Sequence, residues 1–195
     1  MRLDAPGEAL WRPPALLHRV GSNPEEPLGC LLFSASPWAL SERDKWIGWS
    51  KEDRSERLSL IVNNTRFLIF PWVKVKNLAS KALSLGAKQV IVAWQERYGF
   101  KPVLLETFVD TELYQGTCYK AANWIETAGR GRMDRFSEFL SSPKRIYVYP
   151  LQSDFQEVLL GKGGEILSQT PWKLKMTAPN NSDMMTLGKP KYQMG

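Results

Sequence analysis

One hundred and ninety-five residues, 43% hydrophobic and 24% charged, fit one globular domain and exclude a collagen-like or wholly disordered chain. A net charge of +6 favours partners that carry negative charge, without separating nucleic acid from a polyphosphate cofactor. No apolar run approaches the roughly 18 residues that cross a membrane, and no basic stretch followed by an apolar one opens the chain, so a cytoplasmic protein is expected.

Residues 1–27 are rich in proline and glycine and read as an irregular N-terminal segment, with a short strand or loop near 15–20 and a turn over 21–27. The apolar run 28–36, bounded by turn residues, predicts a strand. A short helix over about 38–45 follows, with loop beyond it to Arg57. The run RFLIFPWV at 66–73 predicts a buried strand that must bulge, end or go unpaired at Pro71, because proline has no N–H for the ladder. Ala79, Leu83, Ala87, Val90 and Trp94 recur every three or four residues, which predicts a helix from Asn77 to Tyr98, with Asn77 as N-cap and Gly99 just past its end.

A strand over 101–110, a short helix over 116–127 with Thr117 as a possible cap, a strand over 144–151 and a weak helix over 152–160 complete the pattern. Ile146, Val148 and Pro150 share one face of the 144–151 strand. The polar stretch 161–195 is expected to be a mobile tail. The strand–helix–strand unit over 66–110 implies a right-handed crossover and a parallel pair, and the whole reads as a mixed α/β (α+β) domain over 28–160.

Several chemistries lose their main residue. The single histidine, His18, lies in the irregular segment, so triads, two-histidine zinc sites and histidine–cysteine dyads are not supported. Cys30 and Cys118 lack zinc or redox spacing, and no metal site is expected. Glu106 and Asp110 lie about 13 Å apart on a strand at ~3.3 Å per residue. Two catalytic metals need about 3.5–4 Å between them, so this pair cannot hold them without a third element such as Asp44. Glu106 nevertheless interrupts the apolar run VLL-E-TFV. It reads either as a structural partner of Arg43 or Arg66, or as a general base or substrate anchor.

The turn Lys74-Val75-Lys76-Asn77-Leu78-Ala79-Ser80 carries the densest chemical content. A helix start with free N–H groups suits a phosphate, and Lys74 and Lys76 add full charges. Basic and aromatic residues also interleave elsewhere: Arg43, Lys45, Trp46 and Trp49, then Arg130, Arg132 and Arg135 around Gly129 and Gly131. Such groups can meet phosphates while tryptophan faces stack on bases, and both sets can equally be solvated turns or core packing.

Lys74-x-x-Asn77-x-Ala79 and Tyr119-x-x-x-Asn123-Trp124 resemble two motifs of the GCN5-related N-acetyltransferase superfamily, each with Asn where that superfamily has Gly. The resemblance implies a centrally split sheet and an acyl-CoA pyrophosphate site formed by Lys74, Lys76, Asn77, Leu78, Ala79 and Ser80. It also implies Tyr119 as the general acid that protonates a leaving thiolate.

The strings RDKWIGWS (43–50), NNTRFLIFPWVKVKNLAS (63–80), WQERYGFKPVLLETFVD (94–110), GTCYKAANWIETAGRGR (116–132) and IYVYPL (146–151) resemble the DruA family of the Druantia anti-phage defence system, whose relatives also accompany transposases. Residues 1–27 do not reproduce the longer helical N-terminal region usual in that family. The resemblance implies a bacterial protein of defence or mobile elements, working beside other defence-system or transposase proteins. The expected activity is nucleic-acid binding through Arg43, Lys45, Trp49, Lys74, Lys76, Arg130 and Arg132. The alternative is acyl-CoA-dependent transfer with Tyr119 as acid and Glu106 as a second catalytic residue.

Overall fold

Six strands form one mixed sheet in the order β1-β2-β3-β4-β6-β5 in the computed structural model, which describes residues 15–21, 23, 25–38, 40–127 and 143–162. Strands β1 (Ala15–Val20) and β2 (Gly29–Ala35) pair antiparallel as a hairpin, so the 15–20 segment is an edge strand of the sheet. β2 pairs antiparallel with β3 (Ile61–Ile69). β3, the long helix α3 (Leu78–Tyr98) and β4 (Leu104–Asp110) form the strand–helix–strand unit, with β3 and β4 parallel. β6 (Lys144–Pro150) runs antiparallel to β4, and β5 (Ile125–Thr127) closes the far edge against it.

Alternation along the central strands divides the core into two layers. Val62 and Leu105 face the layer that holds Leu83, Ala87, Val90 and Trp94 of α3. Ile61 and Leu104 face the opposite layer, with Ile47 of α1 (Ser41–Ile47) and Val158 and Leu159 of α5 (Phe155–Leu159). Ile146 and Val148 face one layer and Tyr147 the other, and all three are buried, so β6 is covered on both faces. Gly86 lets α3 sit close on β2, since a Cβ there would lie 2.8 Å from Leu31 Cδ1.

Three expected elements are corrected. The strand expected at 66–73 begins at Ile61, and its buried part is Ile61–Asn64 rather than the apolar run that follows. A second helix, α2 (Lys51–Arg57), occupies the stretch expected as loop. A capping box starts it: Asp53 N–H donates to Ser50 Oγ, and the Ser50 N–H donates to the Asp53 carboxylate. Of the helix expected over 116–127 only α4 (Thr117–Ala121) is helical, while 125–127 is strand β5; α4 starts from Gly116 in the left-handed conformation and not from a Thr117 cap. Gly99 ends α3 in that conformation, as glycine just past a helix end does.

Candidate functional site

β3 and β4 are paired only from Ile61–Leu104 to Asn63–Glu106, after which the strands part. The register of β2 against β3 shifts at the same level, between Leu32 and Phe33, leaving Thr65 as the extra residue of a bulge. Asn64 spans the bulge: its Nδ2 donates to the carbonyls of Leu32 (3.1 Å) and Arg66 (3.0 Å). The β2–β3 bulge and the parting of β3 from β4 thus fall at one level of the sheet, where the Asn64 amide supplies hydrogen bonds on the β2 side.

On the α3 face of the split, the Asn64 Oδ1 left over accepts the Tyr119 hydroxyl at 3.1 Å. Thr107 Oγ1, which donates to the Asn64 carbonyl at 2.9 Å, lies 3.4 Å from the same phenol oxygen. The Tyr119 ring stacks on Tyr147 and meets Trp124 and Phe67 edge-on. It is 7% exposed, and burial pushes its pKa up to about 12, so it holds its proton at neutral pH.

On the opposite face, Glu106 has no exposed surface and lies 3.3 Å from Nη1 of the equally buried Arg43. The Ser36 hydroxyl also donates to Glu106. Arg43 Nη1 donates further to Ser36 Oγ and the Pro37 carbonyl, while its Nε and Nη2 donate to Asp44. Asp44 additionally accepts from Trp49 Nε1 (3.0 Å) and Arg54 (2.7 Å).

Burial works to raise the Asp44 pKa, but the bonds from Arg54, Arg43 and Trp49 and the Arg43 charge hold it below the usual carboxylate range. Burial pushes Glu106 up, opposed by the Arg43 charge and the Ser36 and Arg43 hydrogen bonds. Of the two arginines named as partners, Arg43 is the one beside Glu106; the Arg66 guanidinium bonds the Thr65 carbonyl at the surface. Glu106 has no exposed surface, and through Arg43 it ties α1 to the level of the split.

Arg43 and Trp49 drop out of the basic-aromatic set for the same reason: both are buried and engaged with Glu106 and Asp44. Lys45 is 77% exposed, on the helix that covers the opposite face from α3. Arg130, Arg132 and Arg135 lie outside the described residues. Among the described residues no group of three His, Cys, Asp or Glu could hold a metal, and no helix is long and apolar enough to cross a membrane.

The loop before α3 is open to solvent. Trp72 and 74–77 are exposed, and neither Lys74 nor Lys76 forms a salt bridge with a described acidic residue. Asn77 does not cap the helix with its side chain, as expected from sequence; it stands in the left-handed region at φ 58° with no side-chain cap bond. Asn123, the second Asn that replaces an expected Gly, does the same at φ 62°. After glycine, asparagine enters this region most readily, so both replacements keep the backbone a glycine would give.

Polar residues that carry the split, Ser36, Asn64 and Thr107, are not evident from sequence. The adjacent buried Asn63 and Asn64 are the signal that could have found it, since amides in a core strand are costly without partners; Asn64 makes such bonds, while the buried Asn63 Oδ1 has no partner among the described residues.

No curated protein matches the chain. Among solved structures, a Sphaerobacter thermophilus DSM 20745 protein classed as an acetyltransferase is similar at 14% identity, over 65% of this chain and 63% of that one, with a TM-score of 0.32. The CoA-dependent acyl-homoserine lactone synthase MesI is similar at 14% identity, over 80% of this chain and 73% of that one, with a TM-score of 0.42. This chain thus spans slightly less than two thirds of the first, and at such values neither likeness bears on activity. The family model described as Druantia protein DruA matches residues 20–142, well over half the length. The chain belongs to the DruA family.

Proposed function

We propose that the chain serves anti-phage defence, the role implied by its family, by holding the sugar–phosphate backbone of nucleic acid on the loop that leads into α3. Lys74 and Lys76 carry this reading: two exposed ammonium groups, one residue apart, unpaired with any described carboxylate, in a chain of net charge +6. A lysine already neutralised by a neighbour gains little from a phosphate; these two are free to release counterions on binding. Arg130 and Arg132, outside the described residues, are further contacts in this proposal; Lys45, which pairs with Glu42 at 3.8 Å, is a weaker one. Other defence-system or transposase proteins are its candidate partners.

Binding to nucleic acid should weaken linearly on a log–log plot against salt, with a slope near −0.7 to −0.9 for each phosphate neutralised. The double variant Lys74→Glu and Lys76→Glu should flatten that slope by about two contacts. No binding at low salt would reject the reading.

A second reading has its own observation in favour. The strands part beside a protonated Tyr119, and both Asn-for-Gly replacements keep left-handed backbone. Residues 74–80 and Tyr119 fit an acyl-CoA-dependent N-acyltransferase to that extent. When bound, the thioester would supply the activated acyl group. Lys74, Lys76 and the amides of Ala79 and Ser80 would hold its pyrophosphate, beside Leu78 whose N–H donates to the Val75 carbonyl at 3.4 Å, and Tyr119 would keep a proton for the leaving sulfur. Absence of any thermal shift with millimolar acetyl-CoA would remove this alternative.

A further inference from the structure

We infer that the nucleic acid taken by the 70–76 loop is single-stranded, with an unpaired base stacked on Trp72. This rests on the nucleic-acid reading above and names the form of its ligand. Trp72 is 72% exposed, yet its indole is held in place. Phe70 lies under it at 4.7 Å between ring centroids and 17° between planes. A turn fixes the pair: the Val73 N–H donates to the Phe70 carbonyl at 3.0 Å, with Pro71 at the corner. The Phe70 N–H in turn donates to the Leu28 carbonyl, which ties the turn to the start of β2.

The platform is therefore built before any ligand arrives, and little side-chain freedom remains to be lost on binding. Among the described tryptophans Trp72 is the most exposed, and the only one that is both stacked on a neighbouring ring and exposed. Trp38 carries the Arg54 guanidinium over its ring, Trp46 stacks on Phe155, and Trp49, Trp94 and Trp124 are buried. Trp72 has one face on Phe70 and the other toward solvent, with Lys74 and Lys76 following within four residues.

A flat aromatic face next to free ammonium groups fits a strand that offers both an unstacked base and a phosphate. A duplex offers its phosphates but keeps its base faces stacked inside, out of reach of an indole on a loop. The lysines alone would serve either form; the indole discriminates.

The test uses the full chain and fluorescently labelled oligo-dU, oligo-U and a mixed-sequence duplex, each about 20 nucleotides long, in about 50 mM salt. Single strands should bind at least about tenfold tighter than duplex, and Trp72→Ala should lose about tenfold on single strands while leaving duplex affinity unchanged. Trp72→Phe should recover part of the loss. Comparing the two single strands shows whether deoxyribose or ribose is preferred, and tighter binding of either supports the inference.

Equal affinity for duplex and single strands would overturn the inference and leave the nucleic-acid reading standing. The same holds if Trp72→Ala matches the wild type on every probe. Failure of the wild type to bind any of the three would remove both. Should Trp72→Ala fail to fold, the wild-type preference between single strand and duplex decides alone.

Discussion

The two faces of the sheet at the strand split solve the same problem with opposite chemistry. Each must satisfy polar groups where parallel pairing stops after Asn63 and Glu106. The α3 face does so with neutral groups, the Asn64 amide and the Thr107 and Tyr119 hydroxyls. The α1 face uses charge, with Arg43 between Glu106 and Asp44. A neutral network of donors and acceptors costs little to bury once each is matched, whereas a buried ion pair depends on both partners being present. The charged face is therefore the brittle one, and the neutral face is the one that can carry a proton-holding phenol without threatening the fold.

The largest expected effect tests that brittleness. Glu106→Ala leaves the buried Arg43 with Asp44 as its one charged partner, and Arg43→Ala leaves the buried Glu106 with none; each should cost about 3–5 kcal/mol in urea unfolding. Replacing both by apolar residues of similar volume should restore much of the loss. If the single variants cost no more than an ordinary surface change, the pair does not hold the split.

Tyr119→Phe probes the neutral face. It removes one donor and leaves Asn64 Oδ1 unmatched, for about 1–2 kcal/mol. A loss as large as that of Glu106→Ala would erase the contrast between the faces. Asn77 sharpens the account of the loop. Asn77→Gly should be neutral or slightly stabilising, while Asn77→Ala should cost about 1 kcal/mol because its Cβ opposes the left-handed backbone. Equal behaviour of the two variants would show that the left-handed turn is not retained in solution.

The smallest effect concerns acid. Asp44 is held below its ordinary carboxylate value, so the unfolded chain binds its proton more readily than the folded one. The stability it contributes is present above the ordinary value and is lost as pH falls toward its folded one. Glu106, raised by burial, acts with the opposite sign, favouring the fold most at low pH. Asp44→Asn should accordingly show a flatter fall of urea midpoint between about pH 5 and pH 3 than the wild type. An unchanged slope would mean that Asp44 is not held by Arg43 and Arg54 in solution.

The long helix was legible because Leu83, Ala87, Val90 and Trp94 form a simple apolar stripe and Gly99 ends it. The mixed α/β class followed from the order of apolar runs. The start of β3 was not legible, because Asn63 and Asn64 place amides in its buried half while the apolar 67–70 stretch lies toward the surface. α2 has no apolar stripe to betray it; its signal was the Ser50–Asp53 capping box alone. β5 spans three residues and exists only because β6 offers an edge.

At the candidate site, Glu106 stood out as a charge in an apolar run, and Arg43 was one of two partners that could be named for it. That Arg43 and Trp49 would be consumed by that network, rather than left for a ligand, depends on packing that no local pattern encodes. The exposed Lys74 and Lys76 were readable as a pair. The platform made by Phe70 and Trp72 was hidden inside a run that looked like a buried strand.

The most direct test of the central claim is the affinity of the wild type and of the Lys74→Glu, Lys76→Glu double variant for a labelled single strand across a salt series. The account predicts tight, salt-sensitive binding by the wild type and a loss of about two phosphate contacts' worth of slope in the variant. Wild-type and variant lines that superimpose would contradict it.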